Sequence, residues 1–380
     1  MWEKPAPDET VIAELEKALA EDHCFGSGRV MSSMCTKPLD IAKRAHSMFI
    51  ESNLGNAGLY PGTLGLERRV IRAVGGMLGA ADAAGGIVSG GTEANITALW
   101  MARNITGRRK VIFPQSAHFS LHKACDLLAM EPVTVPLTDD FTIDVDEVSR
   151  RMGTDVAAVV GIAGTTELGA VDDIPGLADI IPDDVFLHVD AAFGGFVLPF
   201  LKDLGRKVPD FDFSVPGVSS MAADPHKMGM STVPSGALLV RDREWFRTIH
   251  KDAPYLDTLG QLSALSGTRC SAAVAATYAA MRSLGREGYV RAVAECMKVT
   301  GHALASARRL GIEPAIEPVM NILCLRVEDP RGMQKALDSR GWKVSVAQNP
   351  PSLRLVLMPH VTVDSVDALF AEIGALTGGR

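Results

Sequence analysis

The sequence has few of the features that mark membrane, secreted or nucleic-acid-binding proteins. None of its apolar stretches approaches the roughly 20 residues that a membrane span requires, and its N-terminus lacks the basic region and apolar run of a secretory signal. Basic residues are in deficit, with 38 Lys and Arg against 45 Asp and Glu, whereas a nucleic-acid surface needs a basic face. We therefore expect a cytoplasmic protein that binds neither membranes nor nucleic acids.

Cysteine and histidine are also sparse and irregularly spaced. The chain has six cysteines and nine histidines, and none of them falls in a Cys-x-x-Cys pair or another metal-ligand spacing. Reduced thiols in a cytoplasmic protein are the simplest explanation for scattered cysteines. The pattern predicts no metal site.

The composition is otherwise that of a globular protein. Hydrophobic residues make up 47% of the 380 residues and charged residues 22%, which allows a large domain with a core of its own and a second, smaller domain. Residues 8–21 have the apolar spacing of an amphipathic helix. From about residue 85, helical segments separate most of a series of apolar runs of strand length, which are residues 86–88, 110–113, 133–137, 156–162, 185–189 and 235–240.

Continuous Val, Ile and Leu runs are typical of buried parallel strands, so we predict an α/β fold with a mostly parallel sheet. After residue 310 the pattern changes to two strand-like and two helical segments, which indicates a small α+β C-terminal domain. The predicted division is an N-terminal helix and active-site segment at 1–50, a large domain at 51–290 and a small domain at 291–380.

A glycine-rich turn joins the first predicted strand to the helix that follows it. Its sequence is Ser89-Gly90-Gly91-Thr92-Glu93-Ala94-Asn95. Glycines let the backbone approach a phosphate closely, and a helix N-terminus offers free N–H groups and a favourable dipole. An ordinary turn with a threonine N-cap would have the same sequence, so this motif is weak support without its neighbours.

Two further polar segments follow predicted strands. His118 lies in Gln115-Ser116-Ala117-His118-Phe119-Ser120, and Thr166 lies in Gly164-Thr165-Thr166-Glu167-Leu168-Gly169. Ligands bind at the carboxyl ends of the strands in open α/β folds. A flat imidazole at that edge can stack on an aromatic cofactor, although an isolated histidine more often has a structural role.

An acidic residue and a lysine complete the pattern. Asp190 ends the apolar run 185–189 in His188-Val189-Asp190-Ala191-Ala192, and Lys227 lies in Asp224-Pro225-His226-Lys227. Pyridoxal phosphate requires an anion at its ring nitrogen and an amine for its aldehyde, and these two residues supply both. The small Ala192 leaves room for the ring, and His226 is placed to reach the phosphate or the substrate. A capping aspartate and a surface lysine would explain either residue alone, but not the combination with the other motifs.

The motifs occur in one order along the chain: glycine turn, His, Thr-Thr-x-x-Gly, Asp-Ala-Ala and His-Lys. In this order the sequence resembles the group II pyridoxal-phosphate decarboxylases, and most closely their short archaeal branch, the L-tyrosine/L-aspartate decarboxylases. The resemblance extends over essentially the whole chain, including Gly58-Leu59-Tyr60-Pro61-Gly62-Thr63, Gly267-Thr268-Arg269 and residues 353–360. Each motif is moderately specific, and their ordered combination is highly so.

The resemblance implies a fold-type-I homodimer that binds pyridoxal 5′-phosphate near its subunit interface. Lys227, His118 and Asp190 would be the catalytic residues. The implied contacts are Gly91 and Thr92 with the phosphate, His118 stacked on the ring, Ala192 behind the ring, Thr166 and His226 with cofactor or substrate, Asp190 with the ring nitrogen, and Lys227 as the Schiff-base lysine. Gly267 and Thr268 would reach the phosphate of the partner subunit.

Substrate contacts are also implied. Arg354, in the predicted small domain, is the expected partner of a substrate carboxylate, and Tyr60 is a second expected contact. His118, Tyr60 and Tyr255 are the candidates that would return a proton to Cα. Longer relatives have Asn where this chain has Asp224, and a carboxylate there would repel a phosphate. We therefore expect Asp224 to point elsewhere or to cap backbone N–H groups.

The implied reaction is α-decarboxylation of an amino acid. Tyrosine would give tyramine, a methanofuran precursor, and aspartate would give β-alanine for coenzyme A. An apolar pocket would favour the first substrate and a second basic group the other. Two alternatives stay open, a carbon–carbon lyase acting on a phosphorylated amino alcohol and a non-catalytic protein that keeps the fold.

Overall fold

Two sheets organise the described part of the chain, which comprises residues 4–251, 254 and 264–378 of a computed structural model. The larger sheet contains β1 (Ala84–Val88), β2 (Lys110–Pro114), β3 (Glu131–Val135), β4 (Val156–Ile162), β5 (Phe186–Asp190), β6 (Val218–Ala223) and β7 (Gly236–Val240). Their spatial order is β1–β7–β6–β5–β4–β2–β3. Strand β7 is antiparallel to β1 and β6, and all other neighbours are parallel. The predicted mostly parallel sheet is confirmed.

Helices cover both faces of this sheet, so its central strands are buried throughout. Strands β4 and β5 are buried at every position, as their apolar runs predict. The helices that precede the small sheet are α1 (Asp8–Glu21), α2 (Asp40–Met48), α3 (Pro61–Met77), α4 (Gly91–Thr106), α5 (Ser120–Leu128), α6 (Val145–Arg151), α7 (Ile174–Ile180), α8 (Leu198–Asp203) and α9 (Ser271–Arg309). Helix α9 has a break at Gly285, whose φ of 58° is in the left-handed region that favours glycine.

A small antiparallel sheet follows α9. It contains β8 (Ile322–Leu325), β9 (Ser345–Gln348) and β10 (Pro351–Val356), with β10 in the centre, and two helices accompany it, α10 (Pro330–Asp338) and α11 (Val363–Thr377). A separate hydrophobic cluster that includes Leu323, Leu355 and Phe370 forms its core. This is the small α+β unit that the sequence predicts.

The N-terminal segment packs in part on the small sheet and in part, through Ala42 of α2, on α9. The N–H of Met31 donates to the carbonyl of Lys343 over 2.7 Å, and the N–H of Val356 donates to the carbonyl of Met31 over 2.8 Å. Helix α1 has the predicted bounds, but none of its residues is buried in the described chain. Residue 290 lies within α9. The boundaries at residues 50 and 290 stay predictions.

No helix in the described ranges combines the length and the apolar character that crossing a membrane requires.

Candidate active site

A cavity of about 450 Å³ lies at the carboxyl edge of the larger sheet. The segments that line it follow β1, β2, β4, β5 and β6. These five strands run in the same direction, so their carboxyl ends meet at one edge of the sheet. Eight of the predicted site residues line this one cavity: Gly91, Thr92, His118, Thr166, Asp190, Ala192, His226 and Lys227. The structure therefore brings together the motifs that lie between residues 91 and 227.

The glycine turn forms one wall of the cavity. Gly90 has φ 155° and ψ 179°, a combination that is essentially restricted to glycine. A Cβ on Gly236 of β7 would lie 2.5 Å from the Gly90 Cα, so this close approach requires glycine at position 236. Helix α4 begins at Gly91, where the first N–H groups of a helix have no partners within the helix.

Asp190 ends β5 in a buried polar environment and is 5% exposed. Its Oδ1 accepts from the N–H of Ala192 over 3.0 Å, and its Oδ2 accepts from Nδ2 of Asn95 over 2.8 Å. Oδ1 of Asn95 is 2.9 Å from Nε2 of His188, and Nδ1 of His188 is 2.7 Å from Oγ of Ser220. Sequence reasoning missed Asn95, His188 and Ser220 as site residues. One sequence pattern indicates that His188 belongs to the site. Side chains alternate along a strand, so His188 and Asp190, two residues apart, lie on the same face of β5.

Lys227 lines the same cavity, with its side chain 19% exposed and its Nζ 3.2 Å from Oδ2 of Asp224. The Asp224 side chain is 2% exposed and lines the same cavity. Nε2 of His226 is 3.7 Å from this oxygen. We expected Asp224 to point elsewhere or to cap backbone N–H groups, but its carboxylate faces the cavity, where it pairs with Lys227. Its Oδ1 has no hydrogen-bond partner among the residues described.

Burial favours the neutral form of both cavity histidines. Burial lowers the pKa of His118, although Asp190 acts in the opposite direction, and burial also lowers the pKa of His226. The N–H of Ser120 donates to Nδ1 of His118 over 3.3 Å, and the N–H of Ser235 donates to Nδ1 of His226 over 3.0 Å. Each ring therefore carries its proton on Nε2.

Four predicted site residues are not among the described lining residues of this cavity: Tyr60, Gly267, Thr268 and Arg354. Arg354 donates from Nε to the Glu167 carbonyl over 3.2 Å and from Nη1 to the Ser32 carbonyl over 3.2 Å. Tyr60 donates to the carbonyl of Glu51 over 3.3 Å. Tyr255, the third candidate proton donor, lies outside the described residues.

Thr268, with Gly267 before it, belongs to a neighbouring cavity of about 430 Å³. Ser89 lines both cavities, and its N–H donates to Oε2 of Glu93 over 2.7 Å. The Oγ of Ser266 is 3.4 Å from the other Glu93 oxygen. The segment that contains Gly267 and Thr268 is thus joined to the back of the glycine turn, and its predicted contact with a partner subunit stays a prediction.

The sheet order and the cavity with Asp190 and Lys227 together are those of a fold-type-I pyridoxal-phosphate enzyme. The chain belongs to the pyridoxal-dependent decarboxylase family: the family model described as "Pyridoxal-dependent decarboxylase conserved domain" matches residues 41–327. The class of enzyme and its cofactor, both predicted from the sequence, are confirmed.

Curated relatives extend the similarity over nearly the whole chain. A "Probable L-tyrosine/L-aspartate decarboxylase" from Methanothrix thermoacetophila is 46% identical, over 96% of this chain and 94% of its own length. A protein of the same name from Methanothermobacter thermautotrophicus is 42% identical, over 92% and 97% respectively.

Solved structures share the fold. A sphingosine-1-phosphate lyase from Burkholderia pseudomallei has a TM-score of 0.90 and 27% identity, over all of this chain and 92% of its own. A glutamate decarboxylase from Lactobacillus brevis has a TM-score of 0.87 over all of this chain and 94% of its own, and its 20% identity shows the fold alone.

The cavity also fits the cofactor on its own geometry. A Cβ on Gly91 would lie 2.9 Å from Cβ of Ala192 and 3.2 Å from Oδ2 of Asp224, so a larger residue at this position would fill the space beside the α4 N-terminus. The anion and the amine that the cofactor requires, Asp190 and Lys227, both line that space.

Proposed function

We propose that this decarboxylase releases the α-carboxylate of an L-amino acid, and that L-tyrosine is preferred over L-aspartate. The observation that supports this proposal is that Asp190 and Lys227 line the same cavity. The names of the relatives support the two substrates. Pyridoxal phosphate, when bound, supplies a sink for the electrons that decarboxylation leaves on Cα.

Asp190 is arranged to hold a cationic ring nitrogen. Each of its oxygens accepts from one uncharged donor, the Ala192 N–H at 3.0 Å and the Asn95 amide at 2.8 Å. Neither donor neutralises the carboxylate, so its negative charge stays available in a setting where charge pairing is strong. The N-terminus of α4 and Thr92 would hold the phosphate, and the neutral imidazole of His118 would lie against the ring.

Lys227 would bind the aldehyde, and its neighbour sets up the amine. Oδ2 of Asp224, 3.2 Å from Nζ, fixes the position of the amine. It is also the nearest carboxylate that can accept a proton when the amine acts as a nucleophile. The protonated Nε2 of His226 faces the same oxygen at 3.7 Å.

The remaining wall of the cavity favours an aromatic substrate. It includes the apolar residues Met34, Phe119, Ile162 and Phe193. Among the described lining residues there is no arginine, and Lys227 is the one lysine. Among these lining residues a side-chain carboxylate would find no cation besides Lys227, whereas an aromatic ring finds apolar partners. Tyramine, rather than β-alanine, would then be the main product.

Arg354 and Tyr60 stay our candidates for substrate contacts. Nη2 of Arg354 is buried and has no hydrogen-bond partner in the described part of the chain. Since its other nitrogens bind the Glu167 and Ser32 carbonyls, a substrate carboxylate could engage this nitrogen without breaking them. Arg354→Met should then raise KM for every amino acid tested.

We also propose that the protein is a cytoplasmic homodimer. Ile50, which lines the Thr268 cavity, is 68% exposed, and two more large apolar side chains are exposed, Met48 at 74% and Leu59 at 67%. A second copy would cover them. All six cysteines are free thiols, as in a reducing compartment. Light scattering should give twice the chain mass of 40.4 kDa, and Ile50→Glu should shift it toward the monomer. A monomeric wild type would contradict the dimer.

The test of function is a product assay with tyrosine, aspartate and glutamate measured side by side. Carbon dioxide and tyramine should form fastest from tyrosine, and faster turnover of aspartate would refute the substrate preference. The likeness to a lyase at 27% identity favours one competing reaction, carbon–carbon cleavage of a phosphorylated amino alcohol. That reaction yields an aldehyde and no carbon dioxide. A purified protein that forms neither product with bound cofactor would support the non-catalytic alternative.

A further inference from the structure

We propose that Asn95 is a positioning residue for Asp190, and that His188 and Ser220 behind it hold the Asn95 amide in one orientation. The inference depends on the proposed function, in which Asp190 holds the ring nitrogen. It assigns roles to three residues that contact Asp190 directly or through one another.

The direction of each hydrogen bond follows from Asp190 outward. An ionised carboxylate can only accept, so Asn95 must present its NH₂ group to Oδ2 of Asp190 at 2.8 Å. Its carbonyl oxygen then faces Nε2 of His188 at 2.9 Å, which must donate. Nδ1 of a neutral His188 can only accept, so the Ser220 hydroxyl at 2.7 Å donates to it. The chain of donors thus runs from Ser220 toward Asp190.

The neutrality of His188 is supported by its surroundings. The ring is completely buried, and burial lowers the pKa of His188 to about 4, although the charge of Asp190 raises it. The groups that face its two nitrogens, Asn95 and Ser220, are uncharged. Asp190 is therefore the one charge in this buried row.

A reversed Asn95 amide would undo the arrangement. Its oxygen would face Oδ2 of Asp190 at the same 2.8 Å, and its NH₂ group would face the Nε2–H of His188. Both contacts would be repulsive. By donating to Nδ1, Ser220 satisfies the His188 tautomer that carries its proton on Nε2, and that tautomer supports the direction in which Asn95 points. A second contact supports the same orientation, since Nδ2 of Asn95 also donates to Oγ of Ser120 over 2.9 Å.

The first experiment measures the tautomer of His188 directly. Two-dimensional ¹⁵N–¹H spectra of the histidine-labelled protein, with and without cofactor, should show a neutral ring protonated on Nε2 at pH 7. The His188→Gln variant assigns the signal by its loss. A ring protonated on Nδ1, or a charged ring, would overturn the proposal. The measurement is made on the wild-type network and does not depend on enzyme activity.

The second experiment compares substitutions by cofactor affinity. Asn95→Ala removes a hydrogen bond to a charged group, which is expected to weaken pyridoxal-phosphate binding by about 10- to 100-fold. Ser220→Ala should weaken it less, by about 3- to 10-fold, and should lower the Nε2–H population of His188. The matched control is Ser219→Ala on the same strand, whose hydroxyl accepts from the Leu187 N–H over 3.1 Å and points to the opposite face.

The control separates the proposal from a general loss of packing. Binding by the Ser219→Ala variant should stay within about twofold of wild type, and equal effects of the two serine variants would overturn the inference. If the wild type bound no pyridoxal phosphate, the proposed function would fail instead. The tautomer measurement would still decide whether the network exists.

Discussion

A buried ion pair at the edge of the larger sheet gives a stability prediction whose sign can be worked out. Arg269 and Glu67 form a two-pronged salt bridge in which each side chain is 4% exposed. Glu67 also accepts from the Ile87 N–H over 2.9 Å, and Arg269 donates to the Ile87 carbonyl over 3.1 Å. Strand β1 has β7 on one side only, and these two side chains satisfy the N–H and the carbonyl of Ile87 on its free edge.

Replacing Arg269 by Met should be costly because it leaves the Glu67 carboxylate buried without a countercharge. Breaking a buried pair in this way typically lowers the free energy of unfolding by about 3–5 kcal/mol. Adding Glu67→Gln removes the isolated charge and keeps an oxygen for the Ile87 N–H. The double variant should therefore be more stable than Arg269→Met alone, by about 1–3 kcal/mol.

Urea unfolding, followed by tryptophan fluorescence and far-UV circular dichroism, measures these differences, and hydrogen exchange of the Ile87 amide reports the local effect. The matched control is Arg286→Met, which breaks a pair with Asp203 whose side chains are 59% and 27% exposed and should cost about 1 kcal/mol or less. Equal costs for the two arginine variants, or a further loss on adding Glu67→Gln, would refute the reasoning.

Two further predictions concern the site itself. Gly91→Ala places a Cβ 2.9 Å from Ala192 and should weaken cofactor binding by about tenfold or more in a titration of the apoenzyme. Gly62→Ala is the control, since no atom lies within 4 Å of its new Cβ, and it should leave binding unchanged. Equal affinities of the two variants would contradict the assignment of this wall. The pKa of His188 is lowered from 6.5 to about 4 by burial, so the unfolded chain binds more protons than the folded one between these values. Its contribution to stability is complete above pH 6.5 and is lost as the pH falls toward 4, on the order of 3 kcal/mol in all. Unfolding free energies measured from pH 7 to 4 should fall less steeply for His188→Gln than for wild type, and parallel curves would be the contrary result.

The sequence predicted the fold, and it singled out residues that line one cavity, because both depend on local patterns. Apolar runs mark buried strands, and polar segments after them converge wherever the strands are parallel. This is why Gly91, His118, Thr166, Asp190 and Lys227 share one cavity. The antiparallel direction of β7 could not be predicted in this way, since its apolar run resembles those of its parallel neighbours.

What sequence reasoning missed depends on contacts between distant residues. Asn95 is 95 positions from Asp190 and 93 from His188, and no local pattern joins them. The error over Asp224 came from weighing repulsion by a phosphate alone. Lys227 lies three residues further along the chain, and its amine pairs with the Asp224 carboxylate. The apolar face of α1 was predicted correctly as a pattern, yet Leu15 is 60% and Leu19 69% exposed, because a pattern does not say what covers it.

The account depends most on Asp190 and Lys227 acting on one cofactor. Reduction of the pyridoxal-phosphate-loaded protein with borohydride, followed by peptide mass spectrometry, tests this directly. The account predicts the reduced adduct on Lys227, its absence in Lys227→Ala, and the simultaneous loss of carbon dioxide release from tyrosine. An adduct on another lysine of the wild type, or undiminished carbon dioxide release by Lys227→Ala, would contradict it.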